Sequence, residues 1–434
     1  MQSTKLKLKN KVGKNKNKIS KDKQSVKTDI QYPKYVNDAK DHKYSFWENK
    51  PVMNIEEPAG ISSIIENNLI ERPIYASSTP INLPATMKWE NINLNDDELM
   101  NKVSEFLNKN YVSDPKNKII SVYTINFLRW VIGENGCILA IISIEKNEIC
   151  GVISASCKNV TVFDKTDKFA SVNFLCADPK YRTRKIANIL IDEMTRHLLH
   201  KGYNQACFTT DRYVPTPRTT IRYYHRPLNY KKLHETKYMI LNEEIEKTHE
   251  KLLVTKPLSD EFVKLNETHL KSVYDLYNKF MVKYNICCKY TEDELKEQLL
   301  NKFVTSYVII KNDIVVDFVS YYKLSYNITD SSEQISAGHL YLYSANNVDN
   351  YKIMDEVLKI ATQENLDVFI VNDTNNMAEI IATKTVKVGE MSDSESYGYS
   401  YQFKFLKSCK KLHFNFYNWK CPEVKPNQIS WFTF

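Results

Sequence analysis

Residues able to hold an anion gather at one place in this chain. Lys180, Arg182, Arg184 and Lys185 follow an apolar run over residues 172–177 and Pro179. Beyond them Ile186, Ile189, Leu190, Met194 and Leu198 recur at the spacing of one helix face. Lys201-Gly202 then supplies a helix stop. The pattern predicts a buried strand, ended by Pro179, that feeds a basic turn and then a helix. The first N–H groups of a helix lack intrahelical acceptors and carry partial positive charge, so that end suits phosphate. Four cations beside it strengthen the preference. A solvated basic turn joining the same two elements is the plain alternative.

Composition narrows the choice. At 434 residues and 42% hydrophobic content the chain can bury a large core. It has only 9 glycines, and neither a P-loop nor a G-x-G-x-x-G string occurs, which argues against a nucleotide kinase or a dehydrogenase. The net charge of +8 is misleading. Residues 1–28 hold ten lysines against one aspartate, so the rest of the chain is close to neutral. That excludes a basic nucleic-acid-binding body and predicts a disordered, lysine-rich tail over residues 1–40. The tail over residues 1–28 suits weak contact with an anionic surface, such as lipid headgroups or the ribosome. Nine cysteines without a C-x-x-C pair read as reduced thiols in a cytoplasmic protein, with no metal site. No signal peptide or membrane-length apolar run is read, and Gln2 stands where self-myristoylation would need glycine.

The spacing Arg182-x-x-Lys185-x-Ala187 resembles the coenzyme A pyrophosphate loop of the GNAT acyltransferases. Preceded by Asn173-Phe174-Leu175-Cys176, it resembles one family, the glycylpeptide N-myristoyltransferases. Other strings follow in family order: Tyr44-Ser45-Phe46-Trp47 before Lys50-Pro51-Val52, Asn108-Lys109-Asn110-Tyr111-Val112, and Phe127-Leu128-Arg129-Trp130. Then come Arg222-Tyr223-Tyr224-His225-Arg226-Pro227-Leu228-Asn229, Asp317-Phe318, Asp367-Val368-Phe369 with Asp373, and Tyr417-Asn418-Trp419-Lys420-Cys421-Pro422. The likeness spans residues 44–434 with gaps.

The resemblance implies an α/β fold, a mixed sheet of two pseudo-symmetric GNAT-like units in one compact, saddle-shaped body. Residues 41–235 would bind acyl-CoA. Residues 236–434 would form the peptide groove and supply a terminal carboxylate. It implies transfer of myristate from myristoyl-CoA, as co-substrate, to the N-terminal glycine amine of proteins by a monomer. The Phe174 and Leu175 amides would hold the thioester oxygen, the Phe434 α-carboxylate would take the amine's proton, and Thr209 would lie beside that amine. Acyl-CoA would contact Tyr44, Ser45, Phe46, Trp47, then Phe174, Leu175, Cys176, Ala177, and Arg182, Thr183, Arg184, Lys185, Ile186, Ala187. The peptide would meet Tyr111, Val112, Asp114, Tyr223, His225 and Asp373.

The sequence departs from the family at several places. Asp211 replaces a glycine. Ser113, Pro115 and Lys116 break an acidic run, and the likeness fades over 377–412. Trp431, Phe432 and Phe434 enlarge the tail. A homologue that binds acyl-CoA without transfer, or an acetyltransferase of the same superfamily, are the alternatives. Ser344 to Tyr351, before the second unit's helix, holds no Arg or Lys, so only the first unit should bind the cofactor.

Overall fold

The computed structural model describes residues 32–34, 36–54, 67–70, 77–111, 119–239, 258–329, 331–377, 380–381, 383–385, 398–400 and 405–431. Phe434, Val112 and Asp114 lie outside them, as does the lysine-rich segment 1–28.

The strands of the first half are β1 (Met87–Ile92), β2 (Ile119–Val122), β3 (Cys137–Ser143), β4 (Glu148–Val162), β5 (Lys165–Ala177), β6 (Gln205–Thr210) and β7 (Thr219–Pro227). Those that follow are β8 (Phe262–Lys264), β9 (Ile286–Lys289), β10 (Val304–Lys311), β11 (Ile314–Ile328), β12 (Gln334–Tyr343), β13 (Val368–Asn372), β14 (Thr383–Thr385), β15 (Gly398–Ser400), β16 (Leu406–Tyr417) and β17 (Ile429–Ser430). The sequence predicts two strands within 149–163, but β4 runs through them without a break. Polar Lys158 and Asn159 do not end it because Asn159 to Val162 pair with β9 on one side and β5 on the other.

Neighbouring strands run β1, β3, β4, β5, β6, β16, β7, β13, β12, β11, β10, β8. Read from either end, the pairings are three antiparallel, one parallel and one antiparallel, meeting at β16 and β7. This is a mixed α/β sheet with a pseudo-twofold relation between its halves. Each parallel pair needs a crossover helix. Ile186–His200 joins β5 to β6, and Asn350–Gln363 joins β12 to β13. The halves also exchange a strand. β7 of the first half lies against β13, and β16 of the second lies against β6.

The continuous apolar run of β3 is explained by burial on both faces. Ile138, Ala140 and Ile142 pack toward the helices Asp97–Asn110 and Ile125–Ile132, while Cys137, Leu139 and Ile141 pack toward Ile186–His200. Those helices are capped at their starts: the Asp96 carboxylate accepts the Leu99 N–H and the Thr124 hydroxyl accepts that of Phe127. Gly151 lets the crossover helix approach β4, since a Cβ there would lie 2.7 Å from Ile186 Cγ2. Among the described residues no helix is long and apolar enough to cross a membrane.

Candidate active site

β5 and β6 form a fork. They are paired from Phe169 with Gln205 to Ser171 with Cys207, and the parallel register then stops. On the β5 prong a bulge follows. Val152 pairs with Cys176 and Ser154 with Asn173, so Phe174 and Leu175 face the single residue Ile153. Neither has a registered partner on β4 or β6. Phe174 has φ of +53°, a left-handed conformation costing a side-chain-bearing residue about 1–2 kcal/mol. Its ring is clamped edge-on by Tyr111 and Tyr123, with centroids at 5.6 and 5.2 Å. The Tyr111 phenol is hydrogen-bonded to the Phe174 backbone, while burial raises its pKa. On the other prong, Thr209 lies opposite Phe414 of β16.

The basic turn stands at the mouth of this fork. Pro179–Arg184 form a 3-10 turn, and Lys185, at φ +56°, starts Ile186–His200 with no side-chain cap. Arg184 and Lys185 are exposed, and the Arg184 guanidinium lies over the Tyr181 ring at 5.3 Å. The first-turn N–H groups thus have no capping side chain, as an anion site requires. Arg182 and Thr183 belong to the turn, though their side chains are outside the described set.

A clip made by residues 44–52 covers the helix from that turn. Tyr44 Oη donates to the Tyr213 carbonyl at 3.0 Å, and Trp47 stacks on Phe208 at 5.7 Å. Lys50 pairs with Asp192 of the helix and sits over Phe46 at 5.1 Å. Tyr44 and Trp47 are buried, Phe46 is half-buried and Ser45 is exposed.

An aromatic floor leads away from the bulge. Ring contacts run from Phe174 to Tyr123, to Phe127 at 6.0 Å and to Tyr322 at 6.3 Å. Tyr322 stacks on His339 at 4.7 Å, and His339 Nε2 meets the Tyr326 hydroxyl at 2.8 Å. His225 and His339 both register on Ile370 of β13, one from each side. Burial, with help from Lys410, lowers the His225 pKa to about 4. Burial also lowers that of His339 to about 3, with His225 adding to the effect. Both imidazoles are therefore neutral near pH 7. Tyr223 registers on Asn372, next to Asp373, and burial lifts its phenol to about 12. Asp373 Oδ1 accepts the Arg222 N–H at 2.9 Å, but burial outweighs that bond and raises the carboxyl from 3.8 to about 6.

Residues 429–431, the last described, pack against the base of the fork. Ile429 and Ser430 pair in parallel with β9, and Trp431 is buried. Its ring lies 5.8 Å from both Phe169, at the fork's base, and Phe414, opposite Thr209.

Two family profiles together match most of this chain from residue 68 to residue 430. The N-terminal domain of myristoyl-CoA:protein N-myristoyltransferase matches residues 68–221, and its C-terminal domain matches 235–430. A Caenorhabditis elegans protein described as a probable glycylpeptide N-tetradecanoyltransferase is 30% identical over 92% of this chain and 87% of its own. Glycylpeptide N-tetradecanoyltransferase 1 of Arabidopsis thaliana is 28% identical over 87% and 88%. The chain belongs to the N-myristoyltransferase family. The fold agrees: Saccharomyces cerevisiae N-myristoyltransferase, solved with bound myristoyl-CoA, superposes with a TM-score of 0.77 at 21% identity, covering 88% of this chain and 94% of that one.

Against the N-myristoyltransferase pattern, the structure brings Phe174, Leu175, Cys176 and Ala177 together on the β5 prong. The turn 179–185 carries Arg184 and Lys185, with Ile186 and Ala187 in the first helical turn. Tyr111 lies at the bulge, and Tyr223, His225 and Asp373 lie along the floor. Two departures are accommodated. Asp211 is exposed, with its carboxylate 3.7 Å from Arg212, and Trp431 serves as a core residue. Tyr123, Tyr322, Tyr326 and His339 join the floor without a motif that singles them out in the sequence. The period-two recurrence of Tyr322, Leu324 and Tyr326 was the available signal for a tyrosine face.

Proposed function

We propose that this chain transfers myristate from myristoyl-CoA to the amine of an N-terminal glycine. The observation that carries the proposal is the fork. One prong offers the backbone of Phe174 and Leu175 outside any strand ladder, a basic turn stands at the mouth, and the C-terminal segment is buried at the base. The names of the relatives agree, and the yeast protein's bound acyl-CoA gives the cofactor's class.

The chemistry follows from these positions. The CoA pyrophosphate takes the uncapped first-turn amides of Ile186–His200 and the cations of the turn before it, while the clip of residues 44–47 covers the acyl-CoA. The acyl chain needs an apolar pocket, and each buried methylene contributes about 0.8 kcal/mol. The glycine nitrogen attacks the thioester carbonyl carbon, and charge develops on its oxygen. The Leu175 N–H donates to that oxygen, and the Phe174 N–H joins it once the Tyr111 phenol moves aside. Each donor is worth about 3 kcal/mol in the transition state. The Phe434 α-carboxylate removes the ammonium proton before attack, with Thr209 beside the amine. Collapse breaks the C–S bond, and the thiolate leaves to be protonated as free coenzyme A. The peptide extends over Tyr111, Val112 and Asp114 and along Tyr223, His225 and Asp373. On this reading residues 41–235 bind acyl-CoA, and 236–434 shape the groove and supply the carboxylate.

The deciding experiment mixes the full chain with myristoyl-CoA and a glycine-initiated peptide, following thiol release and the mass of the peptide. Acylation of that peptide, and none of an alanine-initiated control, is expected. Tight myristoyl-CoA binding without acylation of any glycine peptide would make the chain a cofactor-binding module instead. We further propose that the chain works as a cytoplasmic monomer tethered weakly to anionic surfaces through residues 1–28. Full chain should co-sediment with phosphatidylserine vesicles at low salt, and a variant lacking residues 1–28 should not. Equal sedimentation of the two would remove that role.

A further inference from the structure

The strand that borders Tyr223 and His225 carries three lysines at one irregularity. β16 registers Leu406 on His225 and Lys407 on Tyr224, then resumes with Lys411 on Arg222. Residues 408–410 therefore face the single residue Tyr223. On its other edge β16 is paired with β6 only from His413 to Tyr417. From Lys407 to Leu412 that edge has no registered strand partner among the described residues.

This open bulge lies beside residues assigned above to the peptide. Lys410 is exposed, and its charge reaches the His225 imidazole. Lys407 is half-buried, and its charge reaches the Asp373 carboxylate, as does that of Arg222. Neither the Lys407 nor the Lys410 ammonium forms a hydrogen bond or salt bridge among the described residues. Arg222, Lys407, Lys410 and Lys411 thus bring four positive charges against the one carboxylate of Asp373. A chain passing along this part of the groove meets a positive surface, which favours acidic side chains and repels basic ones.

The register sets which peptide residues meet it. Phe414 of β16 lies opposite Thr209 on one side and Thr219 on the other. From Thr219 to the stretch Arg222–Tyr224 is three to five residues of β7, about 10–17 Å of extended chain. A peptide whose glycine lies beside Thr209 covers that span in as many residues. Counting the glycine as 1, positions 4–6 come level with the lysines.

We propose that Lys407 and Lys410 select glycine peptides that carry Asp or Glu at positions 4–6. This selection rests on the function proposed above, which supplies the place of the glycine and the path of the peptide.

The test uses three peptides that differ only at positions 4–6, with three glutamates, three glutamines or three lysines. Thiol release from myristoyl-CoA is followed with the full chain at low salt. kcat/KM should fall at least about 10-fold from the glutamate to the lysine peptide, mostly through KM, and the gap should shrink as salt is added. The double variant Lys407→Gln, Lys410→Gln should narrow the gap to within about threefold, and Lys407→Glu, Lys410→Glu should reverse it. Calorimetric affinity for myristoyl-CoA shows that each variant is folded. The lysine-rich segment 1–28 would attract acidic residues anywhere in a peptide, so the glutamates are also moved to positions 10–12. There they should gain less than about twofold over glutamine. A lysine or glutamine peptide used as well as the glutamate one, a gap untouched by the lysine variants, or an equal gain from positions 10–12 would overturn the proposal. If no glycine peptide is acylated, the proposed function fails, and fluorescence anisotropy with myristoyl-CoA present then reads peptide binding alone. Tighter binding of the glutamate peptide, lost in the glutamine double variant, would keep the role of the lysines, and equal binding would remove it.

Discussion

Asp373 should make the folded chain less stable as pH rises through the weakly acidic range. Its carboxyl goes from 3.8 to about 6 on folding, because burial outweighs the bond from the Arg222 amide. Between those values the folded state keeps a proton that the unfolded chain has released, so stability falls as pH climbs and levels off above about 6.5. At 1.36 kcal/mol per pKa unit, the part of this window between pH 4.5 and 7.5 is worth about 2 kcal/mol. His225 and His339 act in the opposite sense. Their folded values lie below 6.5, so their contribution rises with pH from about 4 for His225 and about 3 for His339, and is complete above 6.5. The raw pH profile therefore mixes both signs, and the comparison must be with Asp373→Asn, which removes one group and leaves both imidazoles. Urea unfolding of both proteins at pH 4.5 and 7.5 provides it. Wild type should lose about 2 kcal/mol relative to the variant on going to the higher pH. Parallel profiles would refute the buried, proton-holding carboxyl.

Other perturbations probe the rest of the site. Deleting Phe434 should lower kcat at least about 100-fold while the KM for myristoyl-CoA stays within about threefold; retained turnover would remove the terminal carboxylate as base. The double variant Arg184→Ala, Lys185→Ala should weaken myristoyl-CoA binding about 10-fold or more and flatten its salt dependence, and unchanged calorimetric affinity would take the pyrophosphate away from this turn. Trp431→Ala should cost about 3–5 kcal/mol in denaturant unfolding, whereas a loss under about 1 kcal/mol would put the tail outside the core.

Local signals in the sequence were dependable where one residue decides the local chemistry. Pro179 ends β5, as the spacing predicts. The basic turn could be read because four cations between an apolar run and a periodic one have few alternatives. Other features depend on residues far apart in the chain. Nothing near Thr219–Pro227 states that this strand will leave its own half and lie beside Val368–Asn372. His339 went unread because a histidine in an apolar strand gains its meaning from Tyr322 and Tyr326 across the sheet. Lys50 likewise gains its role from Asp192, which sits on the crossover helix, far along the chain.

The exchanged strands explain why the fork cannot belong to one half. Its β6 prong is held on the outer side by β16, so Phe414 of the second half fixes the backbone that carries Thr209. The β5 prong is anchored at Phe169, whose ring packs on Phe416, Trp419 and Trp431, all from the end of the chain. The opening angle of the fork is therefore set by residues that arrive last in sequence. A rigid reaction geometry benefits from such an arrangement, because misplacement by about 1 Å can cost 100-fold in rate. Strand exchange thus ties the two halves into one sheet, with β7 against β13 and β16 against β6.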